Sequence, residues 1–428
     1  MDRTVIKNTH LAEEYYKIKH KSGLTMLLYP KKEYNSAYAL FGTNYGSIDT
    51  KFKTDQEDDY ITVPDGVAHF LEHKLFENEK EDAFARYAKT GASANAFTSF
   101  DKTAYLFSCT DNFEESLEIL LDFVTHPYFT PQTVEKEQGI IGQEIRMYED
   151  DPEWRVYFNL LKGLYINHTV KLDIAGTKES IAQITDKILY RCYNTFYNLN
   201  NMALAVCGNF DVDTVIKIAD SVLKPADDIT IDTVFEQEPL DVAMPYIEEK
   251  LEVALPLFHL GFKEQPDDPA LYFKGQILNE ILLDIIAGES SGLYRRLYDL
   301  GLINSTFSTD VIGGNGYSAT VFSGESKDPQ AVKREIIKEI NKIKSTGIDK
   351  KTFETAKKKI FGRYIRMFNK VDTIAMMMLT THFYNSDIFS LVDTVATAGS
   401  DDINERLKTQ LNEERCTLSV VISNQSQN

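Results

Sequence analysis

An internal repeat is the feature of this sequence that most limits the folds it can adopt. Residues 141–148 read IGQEIRMY and residues 361–368 read FGRYIRMF, so four of the eight residues are identical and the apolar positions match. Both octamers fall in the last helix of the same predicted series, which runs strand, helix, strand, helix, helix. A chance match would not be expected at the same place in that series, so we infer a duplicated unit.

Apolar periodicity and turn residues predict the same order of elements in both halves of the chain. The elements predicted in the first half are strands over 24–46, a helix over 65–77, strands over 92–108, and helices over 111–126 and 131–149. Asp111 is predicted as the N-cap of its helix, because Glu114 follows three positions later. The elements predicted in the second half are a strand over 251–262, a helix over 271–287, strands over 305–323, and two helices after Asp328.

The segment between the two halves, residues 224–250, is acidic and contains Pro225, Pro239 and Pro245. Proline is excluded from helix interiors, so this segment is predicted as a linker. The predicted domains are residues 1–223, which carry the candidate metal site described below, and the homologous residues 251–428. The predicted fold class is α+β, with two homologous domains that each contain an antiparallel sheet with helices packed on one face.

The overall charge limits the possible binding partners. The formal net charge is −19 and the pI is near 4.9. Nucleic acids and anionic membranes require a basic surface, so we expect neither as a partner. The acidity is compatible with attraction of basic peptides, although solubility explains it equally well. The N-terminal residues lack the apolar core of a signal peptide, and no apolar run approaches 18 residues, so the expected location is the cytoplasm.

The segment His69-Phe-Leu-Glu72-His73 is the most informative for function. Residues four apart share a helix face, so His69 and His73 can direct both imidazoles at one ion, with a spacing that suits zinc. Glu72 borders that face and can reach a water on the ion as a general base. The alternative is a solvated helix face with two exposed histidines, but the apolar residues Phe70 and Leu71 favour a half-buried helix.

A catalytic zinc usually has three protein ligands and one open position, so a third ligand must come from elsewhere. The helix over 131–149 offers four glutamates, Glu135, Glu137, Glu144 and Glu149. Glu137 and Glu144 are seven apart and share a face, which suggests one ligand and one supporting carboxylate. Judged alone, each could equally be a solvated surface residue.

At this point the sequence resembles the pitrilysin/insulinase family of inverzincin peptidases. The matching stretches are Gly66–His73 with Leu75 and Phe76, Gly91–Thr98, Glu137 with Glu144, Asp173–Thr177, and Phe196 and Tyr197 with Asn201 and Met202. The whole chain is similar to the shorter, two-domain bacterial members.

The resemblance implies specific roles for these residues. It implies Zn²⁺ held by His69, His73 and Glu144, with Glu72 as general base and Glu137 as the partner of a ligand. It also implies that an extended peptide binds along the strand formed by Ala94, Asn95, Ala96 and Phe97. Members of the family enclose peptides or unfolded segments between two bowl-shaped halves, so the chain is expected to form one half of such a clamshell and to act as a zinc metalloendopeptidase.

One departure from the family pattern bears on partners. Family members usually carry a stretch resembling R-E-x-x-G-L-x-Y, whose Arg and Tyr bind substrate and stabilise the oxyanion. The matching residues here are 297–304, where Tyr298 replaces the Arg and Asn304 replaces the Tyr. A paralogous subunit that supplies the Arg/Tyr pair in a heterodimer is therefore expected. The alternatives for the source of this pair are a homodimer and replacement within the chain by Tyr298, Asn304 or Arg296. The alternatives for the function are a peptide-binding subunit with weak catalysis and a purely structural zinc site.

Overall fold

The computed structural model describes residues 2–424, which form two compact units that are interleaved along the chain. The first unit contains the chain up to Ile145, then Asp173–Val234 and Arg366–Phe389. The second unit contains Arg146–Leu172, Phe235–Ile365 and the chain from Ser390 onward. These units describe packing in space. The boundaries 1–223, 224–250 and 251–428 concern the duplicated segments of sequence and stay a prediction.

Each unit is built on one large sheet. The strands are β1 (Asp2–Asn8), β2 (Glu13–Lys19), β3 (Thr25–Pro30), β4 (Ala37–Thr43), β5 (Lys51–Thr54), β6 (Ile61–Thr62), β7 (Ser93–Thr98), β8 (Thr103–Cys109), β9 (Met202–Gly208), β10 (Ile231–Thr233), β11 (Tyr246–Leu251), β12 (Leu257–Lys263), β13 (Ser308–Gly314), β14 (Tyr317–Glu325) and β15 (Cys416–Ser423). The first unit has the order β1-β2-β3-β9-β4-β8-β7, and the second has the order β11-β15-β12-β14-β13. Strands β10, β5 and β6 form a small separate sheet.

Helices make up most of the remaining regular structure. They are α1 (Val67–Leu75), α2 (Ala83–Thr90), α3 (Phe113–Thr125), α4 (Pro131–Glu149), α5 (Pro152–Leu164), α6 (Lys178–Ile181), α7 (Asp186–Phe196), α8 (Val212–Val222), α9 (Tyr272–Ala287), α10 (Gly292–Asp299), α11 (Pro329–Thr346), α12 (Lys350–Met367), α13 (Val371–Phe383), α14 (Ile388–Thr397) and α15 (Ser400–Thr409). No helix within residues 2–424 has both the length and the apolar character needed to cross a lipid bilayer.

The two units exchange one helix each. Helix α5 follows α4 in sequence but packs on β12 and β15 of the second unit, whereas α13 follows α12 but packs on β4 and β9 of the first unit. In both sheets the helix approaches at a glycine. A Cβ on Gly42 would lie 2.7 Å from the side chain of Leu379, and a Cβ on Gly261 would lie 2.9 Å from that of Leu160. The sheets therefore accept these helices at distances that a larger residue would prevent.

The predicted α+β class with two repeated domains is confirmed, with two refinements. Each large sheet is antiparallel except for one parallel pair, β3 with β9 and β11 with β15. The predicted linker is not wholly irregular, because it contributes β10 and the start of β11.

The prediction of Asp111 as an N-cap is wrong. Helix α3 begins after Asn112, which has a left-handed backbone (φ 53°) and whose side-chain amide donates to the Thr90 carbonyl oxygen at 2.9 Å. Asparagine tolerates this conformation better than most residues do, and a distant carbonyl engages its side chain.

Candidate metal centre

Helix α1, which carries the two histidines, begins at a tightly packed glycine. Gly66 has φ 89°, a conformation that L side chains rarely adopt, and its carbonyl oxygen accepts the first helical bond from Phe70. A Cβ at Gly66 would lie 2.5 Å from the carbonyl oxygen of Ala175. The start of α1 is thus fixed against the segment 173–177, while Val67, Phe70 and Leu71 are buried.

His69, His73 and Glu144 come together between α1 and α4. His69 Nε2 lies 3.7 Å from Glu144 Oε1, and His73 Nε2 lies 3.3 Å from Glu144 Oε2. One ligand atom from each of the three residues lies within 4.8 Å of the other two. The structure thus groups the three predicted ligands, while Glu135 and Glu149 lie at exposed positions of α4.

Glu137, which lies seven residues or about two turns before Glu144 on α4, contacts the other ring nitrogen of His73. His73 Nδ1 lies 3.1 Å from Glu137 Oε1, and because an ionised carboxylate can only accept, the imidazole donates this bond. The bond leaves His73 Nε2 directed at Glu144. Metal-bound histidines commonly donate their second ring nitrogen to a carboxylate in this way.

The spacing and chemistry of these residues fit a zinc ion. Tetrahedral zinc with bonds of ~2.0–2.2 Å places its ligand atoms about 3.3–3.6 Å apart, close to the two distances above. His69 Nδ1 is buried and has no hydrogen-bond partner within residues 2–424, and its Nε2 lies too far from Glu144 for a hydrogen bond. The lone pair of His69 Nε2, the nitrogen that faces Glu144, can therefore bind a cation at this point.

The two histidines differ in their acid–base behaviour. Burial, followed by the nearby His73, lowers the pKa of His69 to about 4. Burial also acts to lower the pKa of His73, but the hydrogen bonds to Glu137 and Glu144 outweigh it and raise this pKa to about 10. Without a metal, the proton on His73 therefore supplies the positive charge that the carboxylates require.

Glu72 lies beside this group and does not belong to the three-residue cluster. Its Oε2 accepts a hydrogen bond of 2.6 Å from Thr98 Oγ1. Burial raises the pKa of Glu72 above its usual value, against the opposing effect of the Thr98 bond. A carboxylate with a raised pKa is better suited to accept a proton near neutral pH than an exposed one.

Strand β7, which contains Ala94, Asn95, Ala96 and Phe97, is the edge strand of the first sheet. It pairs with β8 on one side, and no strand within residues 2–424 pairs with its other side. Thr98 ends this strand and contacts Glu72, so the edge leads to the residue predicted as the general base. An edge of this kind can accept an added strand through backbone hydrogen bonds.

The sequence reasoning assigned no role to Thr98 or Lys74. The Lys74 side chain is fully buried, and its Nζ binds Glu77 and lies 3.5 Å from the Thr133 carbonyl oxygen at the start of α4. Lys74 directly follows the stretch Gly66–His73, and Thr98 ends the stretch Gly91–Thr98, so their positions in the family-like stretches could have drawn attention to both. A lysine directly after His73, within an otherwise apolar stretch, indicates a charge that needs a specific partner.

In the second half, the residues closest to the missing Arg and Tyr have other partners. Arg296 binds Glu335 at 2.8 Å and Glu339 at 3.0 Å, and Asn304 Nδ2 donates to Glu325 at 2.5 Å. Tyr298, at the end of α10, is 56% exposed.

Comparison with known families places the site within a recognised sequence pattern. A family model described as Insulinase (Peptidase family M16) matches residues 56–178, the range that contains all the residues of the candidate centre. A second model, described as Peptidase M16 inactive domain, matches residues 183–360.

Similar whole proteins are also known. The uncharacterized zinc protease YmfH of Bacillus subtilis (strain 168) is 39% identical over 426 residues, which cover 97% of this chain and 98% of the relative. A crystal structure of an M16-like peptidase from Alicyclobacillus acidocaldarius shares 32% identity with a TM-score of 0.91 and covers 99% of both chains. Pitrilysin has the same fold, with 16% identity and a TM-score of 0.77 over 100% of this chain and 47% of its own length.

Proposed function

The chain belongs to the M16 family of peptidases, and on that premise we propose that it is a zinc-dependent endopeptidase that cleaves peptides or unfolded segments. The resemblance to pitrilysin and insulinase is confirmed by the family models and the whole-length relative. The family also includes domains described as inactive, so activity needs support from this chain's own residues. The observation that carries the proposal is the convergence of His69, His73 and Glu144 with a partly buried carboxylate, Glu72, next to His73 in the sequence.

The proposed roles follow from the geometry. His69 and His73 present Nε2 atoms, and Glu144 presents a carboxylate oxygen, to one point between α1 and α4. Glu137 orients His73 from behind. A bound zinc ion would supply Lewis acidity, which polarises a peptide carbonyl and lowers the pKa of water. Glu72 has the position and the acid–base character to take a proton from that water and then deliver it to the leaving amine.

The substrate is proposed to bind as an extended strand along β7. The open edge of Ala94–Phe97 offers backbone groups to a peptide, and the strand ends at Thr98, next to Glu72. Backbone pairing recognises any extended segment regardless of its side chains. It therefore supports action on peptides and unfolded segments and not on folded surfaces.

A second subunit is part of the proposal. Arg296 and Asn304, which could otherwise replace the missing Arg and Tyr, are engaged by glutamates of the second unit. A hydrogen-bond donor to the oxyanion contributes roughly 10²–10³-fold to the rate. A metal centre that lacked such a donor would therefore catalyse cleavage much more slowly. We therefore propose a paralogous partner that supplies the pair. The competing candidate, a weakly catalytic peptide-binding subunit, predicts the same complex but no turnover that depends on Glu72.

The test combines metal analysis with peptide cleavage. The purified chain should contain about one zinc, the number that a single such site holds. Glu72→Gln should retain the zinc and lose at least ~10²-fold in rate, because it keeps the shape but removes the base. Glu135→Gln, an exposed change on α4, is the matched control and should alter neither quantity. Full turnover by Glu72→Gln would contradict the assigned base.

The partner is tested by mixing. Cleavage rates are measured for this chain alone and for this chain mixed with a candidate paralogue that has the Arg and Tyr but no metal motif. Both measurements are repeated with the Glu72→Gln variant of this chain. We expect a complex and a rate increase that Glu72→Gln abolishes. A chain that is fully active alone and forms no complex would exclude the heterodimer, and a complex without Glu72-dependent cleavage would favour the binding subunit.

A further inference from the structure

We propose that Thr98 is a positioning residue, which holds the Glu72 carboxylate in the orientation needed to take a proton from water. Thr98 is the last residue of β7, and its Oγ1 lies 2.6 Å from Glu72 Oε2. The inference rests on the proposed function, because the orientation of Glu72 matters for turnover only if the chain is a peptidase.

The direction of the Thr98 bond follows from its chemistry. The threonine hydroxyl has one hydrogen, and an ionised carboxylate can only accept, so Thr98 donates to Glu72. The last torsion of a glutamate side chain has a broad, roughly two-fold preference, so an unrestrained carboxylate would rotate. Fixing Oε2 restricts that rotation and assigns the proton transfer to the other oxygen, Oε1.

The backbone of Thr98 is itself held by the turn that follows it. Within residues 99–102, Ser99 N donates to the Lys102 carbonyl oxygen at 2.8 Å. Two backbone amides before β5 also donate to this turn. Ser47 N lies 3.0 Å from the Ser99 carbonyl oxygen, and Ile48 N lies 3.1 Å from the Phe100 carbonyl oxygen. The turn lies directly on bare backbone, because a Cβ at Gly46 would be 2.3 Å from the carbonyl oxygen of Phe100.

A partly buried carboxylate also binds the same turn. Asp101 accepts hydrogen bonds from Ser99 Oγ at 2.8 Å, Lys102 Nζ at 2.6 Å and the Tyr384 hydroxyl at 2.9 Å. Burial acts to raise the pKa of Asp101, but Lys102 and the hydroxyl donors outweigh it and the pKa is lowered. Asp101 therefore stays charged, and Tyr384, just after α13, connects the turn to that helix.

These contacts form a support that runs from the sheet to the proposed base. General-base catalysis requires the reacting groups to be held within about 0.5 Å of the productive geometry. Outer partners of this kind typically contribute about 10- to 100-fold to activity when they are removed. Thr98 also ends the strand on which substrate is proposed to lie, so the same short segment holds both the peptide and the base.

The experiment uses the full-length, zinc-loaded chain, with its partner if one is needed for turnover. Thr98→Val keeps the side-chain shape but removes the hydroxyl, and Thr98→Ser keeps the hydroxyl but removes the methyl group. We expect Thr98→Val to lower kcat by about 10- to 100-fold, with KM, zinc content and melting temperature close to wild type. Thr98→Ser should retain most of the activity.

Two further measurements separate orientation from general damage. Thr98→Val in a Glu72→Gln background should cause no additional loss, because both changes act through the same carboxylate. A crystal structure of Thr98→Val, which does not depend on activity, should show the Glu72 carboxylate rotated or spread over two orientations.

The inference is overturned if Thr98→Val matches wild-type kcat, or if Thr98→Ser is as impaired as Thr98→Val. It is also overturned if the valine variant slows the Glu72→Gln enzyme further by the same factor, or if its Glu72 carboxylate stays in place. The two possible failures differ. A wild-type protein that cleaves no peptide overturns the proposed function and this inference together, whereas an active wild type with an equally active Thr98→Val overturns only this inference.

Discussion

Two helix pairs, α1 with α4 and α9 with α12, take corresponding places in the two halves of the sequence. They differ in the groups that contact the carboxylates between the two helices. In the first pair, Glu144 faces two imidazole nitrogens across the helix contact. In the second pair, Tyr364 stands at the repeat position of Glu144, and its hydroxyl lies 3.1 Å from Glu280 on α9. We call these contacts the first seam and the second seam.

The second seam contains its own cations. Arg363 lies 3.6 Å from Glu280, and Lys359 lies 2.6 Å from Asp284, so the carboxylates on α9 face positive groups on α12. In the first seam, imidazole nitrogens of His69 and His73 lie 3.7 and 3.3 Å from the Glu144 carboxylate. The duplicated fold thus keeps a polar contact between these helices in both halves, and in the second half ion pairs and a tyrosine hydroxyl supply it. A metal ion is proposed only for the first seam, where two imidazole nitrogens converge with the Glu144 carboxylate.

The largest effect is expected when the first seam receives the residue of the second. Glu144→Tyr removes the proposed carboxylate ligand and should abolish stoichiometric zinc binding. Peptide cleavage should fall by at least about 10³-fold, because Lewis-acid stabilisation contributes several kcal/mol. Zinc content by atomic spectroscopy and kcat/KM would be measured together. Retained zinc in this variant would contradict the assignment of Glu144.

A smaller effect is expected from a change at Glu137, which contacts the proposed ligand His73. Glu137→Gln keeps the contact to His73 but removes the negative charge, and we expect zinc affinity to weaken by about 10- to 100-fold. In the second half, Lys357 stands at the repeat position and donates to the Ala398 carbonyl oxygen at 2.8 Å, so it supports no second ligand. Competition with a chelator measures the affinity, and an unchanged value would show that Glu137 has only a packing role.

A substitution in the second seam is expected to lower the stability of the fold without changing zinc binding. Tyr364→Phe removes the hydroxyl that binds Glu280, a carboxyl whose pKa is raised by burial. We expect the free energy of unfolding to fall by about 1–2 kcal/mol, with zinc content and kcat at wild-type values. Urea denaturation and zinc analysis would check this. Loss of zinc from this variant would mean that the two seams are coupled and the comparison is too simple.

The smallest effect concerns a second-unit carboxyl outside both seams. Burial raises the pKa of Glu264 to about 7 from its usual 4.5, although Asn279 donates to it at 2.7 Å. A group whose folded pKa is raised stabilises the fold fully below pH 4.5, and this contribution is lost as pH rises to about 7. Glu264→Gln should therefore flatten the decline in stability over this window by up to about 1 kcal/mol per pH unit. Unfolding curves from pH 4.5 to 8 would test the slope, and an unchanged slope would refute the assignment.

Local patterns were enough to predict part of the site. His69, Glu72 and His73 follow from helical spacing alone, because the helix repeat fixes which side chains share a face. The choice of Glu144 as the ligand and Glu137 as its supporting carboxylate came from the family resemblance, because their seven-residue spacing places both on one face of α4. The contact between Thr98 and Glu72 could not be predicted, because it joins residues 26 positions apart through the packing of α1 on β7.

The fold was predictable to a similar extent. The boundaries of α9 and α11 match the predicted segments because Pro329 and the apolar period are local signals. The exchange of α5 and α13 was not predicted. The apolar face of a helix shows that it must be buried but does not show which of two similar sheets will bury it.

The exchanged helix α13 sets the order in which this protein can be completed during its synthesis. Strands β4 and β9 leave the ribosome early, but the helix that covers them follows more than a hundred and fifty residues later, after most of the second unit. At translation rates of about 5–20 residues per second, the first sheet waits for roughly ten to thirty seconds with an apolar surface uncovered. An exposed apolar surface of this kind is prone to aggregation during that interval. A gene truncated after Val234 would therefore encode His69, His73 and Glu144 on a sheet that lacks one of its layers.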